Sequence, residues 1–304
     1  MIESKSTKVI ELQSPQINST DTYWRKALRH IRRDKLTLMA IATLCTLVLM
    51  AVFTPIIVSV LDIEALETET SQRMLPLGTP GHIFGTDNVG RDVFARMLFA
   101  AQISLSIGFF GAMITLSIGT ALGMLTGYVG GVFDDFINWI ITTLDSLPTL
   151  YLLIAVSALL RPSPQSLILI IAVTGWTGGV RLIRGQTLAI KNLDYILASQ
   201  ALGASTLRVM FVHILPNLTS ILVIALTLGI GGTILAESGL SFLNLGVQPP
   251  TPTWGNMLSD AQSYFRTAGH LLVIPGLAIF ITVLCLYILG DGLRDALDPS
   301  SQNA

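Results

Sequence analysis

The chain has 304 residues, of which 51% are hydrophobic and only 12% charged, and its formal net charge is −1. A soluble domain carries about a quarter charged residues, so this composition excludes an ordinary water-soluble enzyme. A net charge this close to zero gives no electrostatic case for nucleic acid.

The first 35 residues are polar and end in Arg25, Lys26, Arg29, Arg32, Arg33 and Lys35. A cationic flank stays on the cytoplasmic side, so residues 1–35 are expected to form a cytoplasmic tail. The run Leu36–Leu61 is free of charge and long enough to cross a bilayer, which takes about 20 apolar residues. It is far too long for the apolar part of a signal peptide, and it reads as a retained first span. Residues 62–100 then lie outside, opening with Asp62, Glu64, Glu67 and Glu69. Towards their end, Val93, Phe94, Met97 and Leu98 recur on one helical face, with Asp92 and Arg96 spaced for an i,i+4 ion pair. That pattern predicts a short amphipathic helix at the outer interface.

Residues 101–291 are expected to form a core of five further spans. The charge-free run Met97–Phe133 supplies the second, with Gly119, Gly123 and Gly127 spaced for close helix packing. Phe136–Leu160 is interrupted only by Asp145 and reads as the third. Pro162–Val180 is the fourth, Ile214–Ala236 the fifth, ending at Glu237, and Leu271–Gly290 the sixth. Arg181, Arg184, Lys191 and Arg208 lie between spans four and five, where an inside start predicts cytoplasm; Arg161 and Arg266 are isolated outer exceptions. Charge bias and span parity agree on six helices with both termini cytoplasmic, residues 292–304 being the C-terminal tail. Carboxylates at depth are costly, which makes Asp145 and Glu237 candidates for a translocation pathway, against a hydrogen-bonded structural role. Cys45 and Cys285 read as small buried hydrophobes, and His30, His82 and His270 are too scattered for a metal cluster.

Residues 185–217 form a structured cytoplasmic segment. It reads Asp194-Tyr195-Ile196-Leu197-Ala198-Ser199-Gln200-Ala201-Leu202-Gly203, begins its next nine residues with Ala204, and continues His213-Ile214-Leu215-Pro216-Asn217. Small residues at 198, 199 and 201 allow close approach to a partner surface. Gly203 relaxes the backbone between two short helices, and Pro216 is expected to start the next one. His213 reads as a packing or hydrogen-bonding residue. The spacing resembles the coupling loop of bacterial ABC-importer permeases. Three further segments, residues 84–93, 241–255 and 290–299, are similar to the C-type subunit of the dipeptide/oligopeptide/nickel permeases. Departures from that pattern are Leu197 for a glutamate, Ser199 for an alanine, Asn244 for a glycine, and Trp139 and Thr142 for an arginine and an aspartate.

The resemblance implies an all-α membrane protein of the type I importer kind in the bacterial cytoplasmic membrane, importing peptides or similar small polar solutes. It implies a second homologous permease, two ATPases that bind ATP and Mg, and an extracytoplasmic solute-binding protein as partners, within membrane lipid and without nucleic acid. It also implies that Asp194, Tyr195, Ala198, Ser199, Gly203, Ala204, His213, Leu215 and Pro216 meet the ATPase. The chain has no Gly-x-x-x-x-Gly-Lys phosphate cradle, so ATP hydrolysis belongs to another polypeptide, and this chain is expected to hold no cofactor and to be no enzyme. The rival readings are an ion-gradient transporter, disfavoured by having only two intramembrane carboxylates, and a permease for nickel chelates or oligosaccharides. An intramembrane enzyme lacks any His-Glu-x-x-His or Gly-x-Ser-x-Gly support.

Overall fold

The computed structural model describes residues 28–159 and 163–297. Arg25, Lys26, Arg161 and residues 298–304, named above, lie outside those residues. From Lys35 onward the α-helices among the described residues are α1 Lys35–Val52, α2 Thr54–Leu61, α3 Val93–Val129, α4 Gly131–Asp145, α5 Thr149–Leu159, α6 Pro164–Ile190, α7 Asp194–Ala201, α8 Thr206–Phe242, α9 Trp254–Ala261 and α10 His270–Leu297. Of these, α1, α3, α6, α8 and α10 are long and apolar enough to span a membrane, and α4 and α5, bent by 90° between them, have the length and composition of a sixth when taken together.

Several boundaries differ from the sequence pattern. The first apolar run breaks at Phe53, because Pro55 in the first turn of α2 has no N–H to continue the ladder. The third expected span turns by 90° at the Ser146-Leu147-Pro148 break, since the residue before a proline is driven out of the α region. The expected interfacial helix is instead the start of α3. That helix has 37 residues, about 55 Å of length, well beyond the bilayer core. Its first turns are buried against the protein at Val93, Ala95 and Leu98. Nor do Asp92 and Arg96 pair. Asp92 is the N-cap of α3, accepting from the Ala95 N–H at 2.7 Å and facing His82 Nδ1 at 2.8 Å. Arg96 turns to Asp87 at 3.5 Å, which also holds Arg91 at 2.7 Å. A carboxylate outside the first turn satisfies orphan helix N–H groups, and is spent there.

The centre of the fold is the contact of α3 with α6. A Cβ at Gly119 would lie 3.0 Å from Gly179 Cα, at Gly123 2.8 Å from Ile183 Cβ, and at Gly127 2.7 Å from Thr187 Cβ. The expected glycine stripe is thus the surface on which two backbones meet. Around this pair, α8 packs on α3, α10 packs on α8 and α1, and α9 covers the outer ends of α8 and α10. Residues 292–297, expected in a tail, continue α10: Gly292 abuts Thr37 of α1, and Ala296 and Leu297 pack with Ile31 and Ile224. Cys285 is buried, whereas Cys45 is exposed on the outer face of α1.

The α3–α6 contact has a direct test. Gly123→Ala places a methyl against Ile183 and 2.9 Å from the Val180 carbonyl oxygen, which is backbone and cannot turn away. Gly185→Ala meets nothing within 4 Å. Thermal unfolding of the purified chain in detergent should show Gly123→Ala destabilised by about 1–3 kcal/mol. Gly185→Ala should be neutral or stabilising by up to about 1 kcal/mol. Equal stability of the two variants would contradict the packing role.

Candidate functional site

The cytoplasmic segment folds as two helices joined by a tight turn. Helix α7 starts at Asp194, whose charge suits the positive end of the helix dipole. It ends in a Schellman turn: the Ala204 N–H reaches the Ser199 carbonyl at 3.1 Å, and the Gly203 N–H reaches Gln200 at 2.9 Å. Gly203 sits at φ +84°, the left-handed region where a Cβ costs about 1–2 kcal/mol. Ser205 then caps α8, accepting from the Arg208 N–H.

Pro216 stands, as expected, in the first turn of an α-helical stretch, Leu215–Phe242, but that stretch is not separate from what precedes it. Between Val209 and Ile214 the chain makes a π turn, the Leu215 N–H reaching back to Met210, and α8 runs through it into the fifth span. The wider turn makes room for the proline ring, which would otherwise press on the carbonyl four residues earlier. Residues 206–214 are therefore the stem of a span.

One face of this unit is fixed to the membrane core. Ile196, Val209, Met210 and Ile214 are buried with Met124 of α3, Ile183 of α6 and Leu218. Polar ties add to this: Gln200 donates to the Tyr128 hydroxyl at 3.1 Å, and Lys191 Nζ to the Gly127 carbonyl at 2.8 Å. Within the unit, Ser199 Oγ lies 3.2 Å from His213 Nε2, and Asn217 donates to the Tyr195 hydroxyl at 3.1 Å. Tyr195 meets the His213 ring edge-on. Leu197 and Leu202 are uncovered, Leu202 89% exposed, whereas Leu207 and Phe211, also exposed, line a groove against Met113, Leu116 and Met124 of α3. Of the residues singled out from sequence, Asp194, Tyr195, Ala198, Gly203 and Pro216 are exposed, while Ser199, Ala204, His213 and Leu215 are half-buried at the joint between the helices. Among the described residues no group of His, Cys, Asp and Glu could hold a metal.

The two intramembrane carboxylates have partners in the chain. Asp145 ends α4 and pairs with Arg181 of α6 at 2.7 Å. Glu237 is fully buried, accepting from Ser241 at 2.7 Å and from Thr253 at 2.8 Å. Thr253 is also the N-cap of α9, so Glu237 fastens the end of α8 to the start of α9. Asn256 holds the loop between them, donating to the Val247 and Thr251 carbonyls at 3.0 and 2.9 Å. No sequence pattern pointed to the bidentate pair Asp134–Arg184, at 2.6 and 2.7 Å, which ties α4 to α6. Two of the sequence departures acquire reasons. Asn244 occupies a left-handed position, φ +59°, closing α8 in the same kind of turn, and asparagine tolerates that region better than other side chains. Ser199 makes the contact with His213 that an alanine could not.

On the outer face, the carboxyl of Asp260 on α9 stands near Arg96, Arg91 and Asp87. Burial pushes its pKa up from the ordinary carboxylate value, and the two arginines oppose that rise.

Residues 119–303 match the family described as binding-protein-dependent transport system inner membrane component, and residues 22–69 match the N-terminal TM domain of oligopeptide transport permease C. The chain is 36% identical over 300 residues to the dipeptide transport system permease protein DppC of Alkalihalophilus pseudofirmus, covering 96% of this chain and 97% of that one. It is 40% identical over 283 residues to the glutathione transport system permease protein GsiD of Escherichia coli, covering 91% of each. Among solved structures, a chain of the MetNI methionine ABC transporter, in an inward-facing conformation, superposes with a TM-score of 0.54 at 17% identity. That likeness covers 67% of this chain and 97% of that one, and concerns the fold.

The Glu237 clamp can be tested by removing its acceptor. Glu237→Gln keeps one carbonyl oxygen for Ser241 and Thr253, whereas Glu237→Leu leaves both buried hydroxyls without it. Thermal unfolding in detergent should place the leucine variant about 1–3 kcal/mol below the glutamine variant. Indistinguishable midpoints would rule the clamp out.

Proposed function

The chain belongs to the binding-protein-dependent transport system inner membrane components, and we propose that within such an importer residues 194–217 are the surface on which an ATPase subunit drives the membrane helices. The chain is a multi-pass membrane permease of an ABC importer and is not itself an ATPase. Members of this family work with ATPase and binding-protein partners. In the arrangement proposed here a second, homologous permease pairs with this one, and two ATPases beneath them bind ATP and Mg. An extracytoplasmic binding protein delivers the solute. The solute is a short peptide, supported by relatives named for dipeptide and glutathione transport that align over nearly the whole chain.

The observation that carries the coupling role is the two-sidedness of the α7–Gly203–α8 unit. Its inner face is buried with α3 and α6, so a push on the unit is a push on two spans. Away from that face Leu197 and Leu202 are left uncovered by the chain, apolar surface of the kind a partner covers. Nothing in this role needs an ionisable residue, so the missing glutamate at Leu197 leaves it intact.

Gly203 separates geometry from bulk, since a Cβ there meets nothing within 4 Å. Asparagine adds volume but reaches the left-handed region, while valine does not. Uptake and co-purification of the ATPases, measured on the same membranes, should survive largely in Gly203→Asn. In Gly203→Val uptake should be lost, with the ATPases shed or hydrolysing without transport, and the permease still in the membrane. Normal uptake by the valine variant with its ATPases attached would remove the assignment.

A further inference from the structure

A groove runs along α6 and α8 on the side away from α10's outer end. Its membrane-embedded part is a cavity of about 350 Å³, within the range of about 300–1,000 Å³ usual for small-molecule sites. Through Leu182 and Ala225 it continues into a wider, cytoplasmic cavity of about 980 Å³, edged by Gln186, Ser220, Asp291 and Arg294. Neither Asp145 nor Glu237 lines it; the embedded part has no charged side chain at all.

Four glycines in helix interiors, Gly178, Gly185, Gly232 and Gly239, have open space where a Cβ would stand, and two of them, Gly178 and Gly232, lie in its wall. Glycine weakens a helix relative to alanine, and in a cavity wall what it gives in return is room. At 119, 123 and 127 the constraint is the approach of α6. At Gly178 and Gly232 a Cβ would meet nothing within 4 Å, and neither backbone has a positive φ. Both are exposed, and both line the embedded cavity. The space they keep free lies outside the chain.

The second observation is chemical. The same wall carries threonines whose hydrogen bonding is incomplete. Thr233 is only 6% exposed, and its side chain makes no hydrogen bond among the described residues. Thr115 Oγ1 is buried without a partner. Thr174, by contrast, is satisfied by the Ile170 carbonyl at 2.8 Å. Hydroxyls left unmet against lipid or a dry helix are expensive, so what fills this groove brings donors and acceptors of its own. A peptide backbone does so at every residue, and its side chains need the room that the glycines leave.

We propose that this groove is the chain's share of the solute path, with Gly178 and Gly232 limiting the bulk of the passing side chain and Thr233 taking the peptide's amide groups. This rests on the reading of the protein as a peptide importer.

The test uses the assembled importer with its binding protein in membrane vesicles, and two radiolabelled probes, glycylglycine and tryptophyl-tryptophan. Gly178→Leu and Gly232→Leu should each cut uptake of the aromatic peptide about tenfold or more relative to glycylglycine. Thr233→Val should lower both, and Thr233→Ser should restore them. The ATPases should co-purify with every variant. Equal loss of both peptides in the leucine variants, or no loss of either, overturns the proposal while leaving the importer reading in place. Import of neither peptide, and not of radiolabelled glutathione either, by the unmutated complex overturns the peptide reading, and this proposal with it.

Discussion

The architecture depends on one constraint: α3 and α6 touch through backbone. A Cβ at Gly119 would press on the Gly179 backbone at 3.0 Å, and the same line of contact runs on through Gly123 and Gly127 to Thr187. Hydrophobic burial cannot drive two helices together in lipid, where the tails are as apolar as leucine. Close van der Waals contact does so instead, and small residues are its precondition. With those two axes fixed, Asp134 reaches Arg184 from α4, and Lys191 reaches the free carbonyl of Gly127 at the end of α3. Each tie is made at the cytoplasmic end, where the coupling unit joins.

The outer end is held differently. There the joints are polar and specific: Glu237 binds Thr253 and Ser241, Ser104 Oγ accepts from the Trp254 N–H at 3.1 Å, and Asp92 both caps α3 and faces His82. His82 in turn stands 2.7 Å from Gln72, so the acidic segment after the first helices is stitched to the start of α3. Gly90 has φ +88°, and a Cβ there would strike the Glu69 carbonyl oxygen at 1.9 Å, which keeps that segment folded back on itself. The protein is thus tight by shape on the inside and by hydrogen bonding on the outside.

The spanning helices were legible because each charge-free run reports directly on burial in lipid. The turn between α7 and α8 was legible because Gly203 and the spacing around it are local, and a Schellman turn needs only its own few residues. What sequence did not disclose was long-range or competitive. Asp92 and Arg96 have the spacing of an ion pair, but a helix end claims Asp92 first. Pro216 marks the start of an α-helical stretch, but a π turn joins that stretch to what precedes it. The pair Asp134–Arg184 joins residues far apart in the chain and leaves no periodic trace. Asp145 and Glu237 drew attention as charges at depth, yet depth alone does not say whether a carboxylate faces water or another side chain. The groove was invisible because its signal is missing side chains, and glycines at 178 and 232 look in sequence like those at 119 and 123.

These features combine into a claim about movement: α3, α6 and the coupling unit form one rigid lever. Its joints are the buried cluster around Ile196 and Met210, the tie of Gln200 to Tyr128, and the glycine contact. The direct test is a distance between spin labels at Leu202→Cys on the coupling unit and Val129→Cys at the end of α3, both exposed, in a chain with Cys45 and Cys285 replaced. Measured by pulsed electron resonance in the assembled importer, without nucleotide and trapped with ATP, that distance should stay the same. A change of several ångströms between the two states would show the coupling unit moving on its own, and would contradict the lever.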